Sequence, residues 1–164
     1  MCIRDSYLDT AYTSKQENDA TALLCAAFHN NELYIKEVKA VRLEFPELIK
    51  EILTFTSLNG YSNSSRIYVE PKASGKSIVQ MLRKSTGLNI MEDKPPTQDK
   101  VSRVSAVSPF IESRRVNLLD GRYINDFLNE LKAFPNGSHD DQVDVLVMAI
   151  DRNITRRKKV RAIA

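Results

Sequence analysis

The stretch Tyr68–Leu82, YVEPKASGKSIVQML, runs from a strand-like segment into an acid, and then through Gly75-Lys76-Ser77 into a helical one. It can be read as a phosphate-cradling loop or as a strand whose terminal acid carries the chemistry. The phosphate loop needs a glycine five positions before its Gly-Lys-Ser, so that the chain curls and successive N–H groups converge on phosphate. That position is Glu70. A carboxylate there repels phosphate, and Pro71 removes a donor. The stretch is therefore read as strand, acid, turn and helix, with Ser74 as candidate N-cap.

The segments on either side give the architecture. Upstream, Tyr7–Thr13 is strand-like in composition. Thr21–His29 is an apolar run without Pro or Gly, and Glu32–Leu43 alternates at its core. With Asn30-Asn31 as a turn, these three segments predict an antiparallel meander. Phe45–Leu58 has helical spacing, with Pro46 in its first turn and Asn59-Gly60 after its end. Arg66–Glu70, the helix over Ser77–Lys84 and Gly87–Met91 form a strand–helix–strand unit. Glu92–Lys100, with Pro95-Pro96, is a loop. It is followed by a helix over Lys100–Ser108, a small strand at Val116–Leu119 and an amphipathic helix over Tyr123–Phe134. Pro135-Asn136-Gly137 stops that helix, and Ser138–Asn153 forms the last one. Three strands followed by strand–helix alternation predict a mixed α/β sheet with helices on both faces.

At 164 residues and a net charge of +3, the chain is one domain with room for a core. Its cations crowd the C-terminus at Arg152, Arg156, Arg157, Lys158, Lys159 and Arg161. Such a run either complements a helix dipole or contacts phosphate. Cys2 and Cys25 have no metal-type spacing, which points to a reducing compartment. No apolar run is long enough to span a membrane. The opening MCIRDS lacks an apolar period and resembles the translated end of a transposon-type sequencing adapter. Residues 1–6 are expected to be non-native and the chain to be a piece of a longer protein. The domain proper is expected to cover 7–155, followed by a basic tail over 156–164.

Three acidic positions stand apart. Asp9 lies in an apolar strand, where burial is costly unless the charge is paired or metal-bound. Glu70 ends the fourth strand. Asp140, Asp141 and Asp144 begin the last helix in HDDQVDVLVMA, with Asp144 adjacent to both of the others on the helix surface. Ser138 and Asp141 also have the spacing of a capping box. Brought together, these carboxylates are hard oxygen donors suited to Mg²⁺ or Mn²⁺. Two such ions can support phosphodiester hydrolysis.

Four segments in order, DTAYTSKQENDATA, IYVEPKASGKSIVQML, KVSRVSAVSPFIESRRVNL and FLNELKAFPNGSHDDQVDVLVMA, resemble the C-terminal nuclease domain of the large terminase subunit of tailed bacteriophages. FPNGSHDDQVD is the most specific piece. The resemblance implies a ribonuclease-H-like fold and a Mg²⁺- or Mn²⁺-dependent endonuclease that cuts concatemeric viral DNA with a two-metal site. It implies Asp9, Glu70 and Asp141 as catalytic acids, with Asp140 and Asp144 among the metal ligands. Asp19 matches a further acidic position near the metals, but reads first as a turn residue before the second strand. Lys100 and Arg103 match a basic pair facing the DNA backbone, and Lys76 is a further candidate phosphate contact. The implied partners are double-stranded viral DNA, an N-terminal packaging ATPase not represented in this chain, a portal and a small terminase subunit. The implied setting is the host cytoplasm during infection, with no secretion. A junction resolvase or hybrid nuclease of the same fold, and a catalytically silent DNA-binding or docking module, are the alternatives.

Overall fold

The computed structural model describes residues 4–10, 20–70 and 75–156, and for 75–77 only the backbone. Among them the strands are β1 (Arg4–Asp9), β2 (Thr21–His29), β3 (Glu32–Val41), β4 (Ile67–Val69), β5 (Ile90–Glu92) and β6 (Val116–Leu118). The helices are α1 (Phe45–Leu58), α2 (Gly75–Ser85), α3 (Lys100–Glu112), α4 (Ile124–Ala133) and α5 (Asp141–Ile150). The strands form one sheet in the order β5-β4-β1-β2-β3-β6. The β1–β2 and β2–β3 pairs are antiparallel, whereas β1–β4, β4–β5 and β3–β6 are parallel.

β2 is buried over its first six residues. Its unbroken apolar run suits a strand covered on both faces. β3 alternates until a register shift, where Cys25 faces Glu37 and Ala26 faces Ile35. The extra residue, Lys36, changes the phase of the strand, so Leu33, Ile35 and Val38 all reach the same core. α1 buries Leu48, Ile52 and Phe55 at helical spacing, and Gly60 takes φ +77° just past its end.

The sheet separates two cores. On one face, α1 and α2 cover Leu8, Leu23, Ile67 and Val69 with Leu48, Ile52, Ile78 and Leu82. On the other, α3, α4 and α5 cover Tyr7, Ala22, Leu24 and Tyr68, with Val107, Phe127, Val143 and Leu146 among the residues packed there. α5 is buried at every residue after Asp141, as a helix passing through the middle of a domain must be. It continues into a π-helical turn over Asp151–Thr155. There Asn153 donates to Ala149 O at 2.9 Å and to Tyr7 Oη at 2.5 Å.

Several boundaries differ from the sequence reading. β1 begins at Arg4 because Arg4–Ser6, set aside above as non-native, pair with Ala27, Ala26 and Cys25 of β2. Residues 11–13, expected to continue this strand, lie outside the described residues, as do Asp19, Pro71, Ser74 and 157–164. α3 runs past the expected end at Ser108 and through Pro109 to Glu112. α5 begins at Asp141 rather than Ser138. Asp140 is its N-cap residue and makes no side-chain capping bond, so the Ser138–Asp141 capping box is not the device that starts this helix.

Candidate active site

The parallel pairing of β1 with β4 sets Tyr7 opposite Tyr68 and Leu8 opposite Val69. The ladder closes with the Glu70 N–H donating to Leu8 O at 3.0 Å, which brings Asp9 and Glu70 level at the strand ends. Strand alternation fixes their face. Tyr7 and Tyr68 stack in the core beneath α5, with ring centroids 5.5 Å apart. Asp9 and Glu70 lie two residues further along that same face. Asp9 is 1 % exposed and Glu70 5 %, and Ala22 of β2, opposite Asp9, adds little bulk beside it.

α3 and α5 complete the cluster. Asp144, 2 % exposed, accepts from Arg103 Nη2 at 2.8 Å, and its other oxygen lies 2.7 Å from Lys100 Nζ. Lys100 also reaches Asp140 at 2.7 Å, and Arg103 Nη1 lies 3.8 Å from Glu70. A chain of alternating charge therefore runs Glu70, Arg103, Asp144, Lys100, Asp140. Burial opposes the Lys100 charge, but Asp140 and Asp144 outweigh it and hold its pKa above the ordinary lysine value. Asp141 is half-buried at the first position of α5. As the side chains stand, no three His, Cys, Asp or Glu groups among the described residues converge closely enough to hold one ion. The cations Lys100 and Arg103 lie among the acids.

Lys100 and Arg103 thus turn toward the carboxylates, not away from the domain as a purely backbone-gripping pair would. The Lys76 side chain lies outside the described residues, although its backbone is in the first turn of α2. The cationic C-terminus also differs from expectation. Arg152 and Arg156 turn inward onto Asp93, at 3.0 and 2.6 Å. The Arg152 guanidinium covers the Tyr68 ring at 3.5 Å, and Arg156 Nε donates to Asp151 at 2.7 Å.

Asp93 went unnoticed in the sequence because it falls in a segment read as loop. Its N–H donates to Val69 O at 2.9 Å, so it lies beside Glu70 just as Glu70 lies beside Asp9. The available signal was the unit itself: both parallel strands flanking α2 run into an acid. A cavity of about 290 Å³ opens there, lined by Glu70, Asp93, Arg103, Val107, Met148 and Arg156. Glu130 of α4 was missed as well. Its two oxygens accept from Gln142 N–H and Gln142 Nε2, both at 2.6 Å.

A mixed sheet opening with an antiparallel meander, with acids at two neighbouring strand ends and on the closing helix, defines a ribonuclease-H-like domain. The chain belongs to the family described as "Terminase RNaseH-like domain", whose sequence profile matches residues 6–153. Among solved structures it is similar to the human cytomegalovirus terminase nuclease domain, at 20% identity and TM-score 0.67, over 90% of this chain and 81% of that one. It is also similar to the zinc-bound large terminase nuclease from thermophilic phage G20c, at 16% identity and TM-score 0.68, over 92% and 81%. A third likeness, to the large terminase from another thermophilic bacteriophage, has 13% identity and TM-score 0.67 and covers 92% of this chain but 39% of that one. No curated protein sequence matches the chain significantly.

Proposed function

We infer that this domain is the metal-dependent DNA endonuclease of a phage packaging terminase. The observation that carries this reading is the burial of Asp9, Glu70 and Asp144 at one end of the sheet. Buried carboxylates are retained when paired or coordinated to metal. Here Lys100 holds Asp140 and Asp144, and Arg103 contacts Asp144 and Glu70. The all-oxygen donor set fits Mg²⁺ or Mn²⁺. The solved relatives include a Mn-soaked and a zinc-bound terminase nuclease.

Asp9, Glu70 and Asp141 are the proposed principal ligands, with Asp140 and Asp144 completing the set. A pair of divalent ions bound there supplies an activated water and charge stabilisation for the leaving oxygen of a phosphodiester. Arg103 and Lys100 neutralise the carboxylates before loading. Once released from them, they are placed to bind the non-bridging oxygens of the DNA backbone, as Arg and Lys commonly do. The substrate in this reading is double-stranded concatemeric viral DNA in the host cytoplasm. In the longer protein the domain works behind a packaging ATPase, with the portal and small subunit as partners. A silent docking module is disfavoured because every acidic position is filled.

Plasmid cleavage tests the reading. The domain is expected to nick or linearise plasmid with Mn²⁺ or Mg²⁺ and to stop on addition of chelator. Asp9→Ala and Glu70→Ala are expected to abolish cleavage while keeping the wild-type circular dichroism spectrum. Cleavage surviving in both variants would place the site elsewhere.

A further inference from the structure

The start of α5 poses a problem that Glu130 solves. A helix N-terminus leaves N–H groups without intrahelical partners, and a nearby Asp is among the favoured side chains to accept from them. Asp140 stands at the N-cap with φ −147° and ψ 17° and makes no such bond. The N–H of Gln142, at the second helical position, is taken from outside the helix by Glu130 Oε1 at 2.6 Å. Glu130 Oε2 accepts from the Gln142 side chain, also at 2.6 Å, and Gln142 is itself buried. Asp140 faces Lys100 at 2.7 Å, and Lys100 holds Asp144 at 2.7 Å.

We propose that Glu130 is a positioning residue of the active site: by capping α5 from α4, it leaves the Asp140 carboxylate outside the cap and facing Lys100 and Asp144. This rests on the nuclease reading for its consequence, but not for its geometry. Without the Glu130 carboxylate, Asp140, which occupies the N-cap position, carries a side chain of a type that caps helices. Turning back to the Gln142 N–H, it leaves Lys100 and is lost to the metal-binding set. A two-point grip on both the backbone and the side chain of Gln142 also fixes the rotation of the first turn of α5, and with it the direction in which Asp141 and Asp144 project. Outer residues that orient metal ligands in this way typically change metal affinity or activity about 10- to 100-fold when removed.

The test compares wild type, Glu130→Ala and Glu130→Gln. In Glu130→Gln the new amide oxygen accepts the Gln142 N–H, and a flip of the Gln142 amide restores the second bond. Glu130→Ala is expected to lose the nuclear Overhauser contacts between the Asp140 and Lys100 side chains in metal-free protein. It should also weaken Mn²⁺ binding by calorimetry and lower kcat for plasmid cleavage about 10-fold or more, with KM for DNA unchanged. Glu130→Gln should stay close to wild type in all three. If Glu130→Ala does not fold, Glu130→Asp, whose carboxylate is one methylene short, gives the same readings at smaller amplitude. Faster amide exchange at Gln142 with unchanged Asp140–Lys100 contacts and unchanged Mn²⁺ affinity would overturn the proposal and leave Glu130 a plain cap. If wild type neither binds Mn²⁺ nor cuts DNA, the nuclease reading fails. The Asp140–Lys100 contact then decides alone: its loss in Glu130→Ala upholds the positioning role and its persistence refutes it.

Discussion

Replacing Arg103 with methionine removes one of the two cations that hold Asp144 and keeps most of the side-chain length. Asp144 is 2 % exposed and bound at 2.8 Å by Arg103 and 2.7 Å by Lys100. Removing one partner of a buried pair costs about 3–5 kcal/mol, because the remaining charge stays buried. Lys100 persists in the variant but is shared with Asp140, so the low end, about 3 kcal/mol, applies. In a domain of this size each kcal/mol lowers Tm by about 2–4 °C, giving a fall of about 6–12 °C without metal. Metal reverses the comparison. At about a hundredfold excess over Kd, a ligand stabilises by about 2.7 kcal/mol, and in wild type part of this is offset by displacing Arg103 from the acids. The variant has no such cation to displace, so Mn²⁺ should raise its Tm by at least about 3 °C more than it raises wild type. The assay is a pair of calorimetric melts with chelator and with saturating Mn²⁺. A variant that melts with wild type in chelator, or that gains no more from Mn²⁺, would refute the idea that Arg103 stands in for metal.

The Gly75-Lys76-Ser77 turn should not bind nucleotide: ATP without metal is expected to leave Tm unchanged in wild type and in Lys76→Ala alike, and an ATP-dependent rise lost in Lys76→Ala would revive the phosphate-loop reading. Cys25 gives a pH signature, because burial above all pushes its thiol from 9.0 up to about 11. A raised pKa means that the unfolded chain gives up the proton first, so stability is intact below pH 9.0 and falls as pH rises to about 11, by up to about 3 kcal/mol. Urea melts across that range should show a shallower decline in Cys25→Ala, and parallel profiles would show that the thiol does not contribute.

What the sequence revealed and what it hid follow from the range of each interaction. α1 and β2 were legible to the residue, because their apolar spacing, Pro46 and the Asn-Gly and Asn-Asn punctuation are local. The meander and the strand–helix–strand unit were legible for the same reason. The placement of β1 between β2 and β4 is a long-range fact. It is what makes Asp9 and Glu70 neighbours, and the residue types hinted at it only because a buried acid needs a partner. Asp93 was missed because Asp-Lys-Pro-Pro has the composition of a loop, whereas its backbone extends the β4–β5 ladder. The acids of α5 were open to a capping explanation until Glu130, 12 residues upstream of Gln142, was seen to take that role. Arg152 and Arg156 read as a solvated or DNA-facing end, and no local pattern announces that their partner is Asp93, 59 and 63 residues away.

The alternation along β1 has a consequence for how errors in folding are handled. Leu8 belongs to the core under α1 and α2, while Tyr7 lies in the core under α5, with Asp9 on its side of the sheet. A slip of one residue in the β1–β4 register exchanges the two faces. Asp9 would then enter an apolar interior and Leu8 would take its place among the acids. The sheet therefore offers no nearly correct arrangement in which the acids are mildly displaced and a weakened enzyme persists. The hydrophobic sorting that selects the register also selects the site, so a misassembled domain is silenced outright. If the domain cuts viral DNA as proposed, that is a built-in form of quality control.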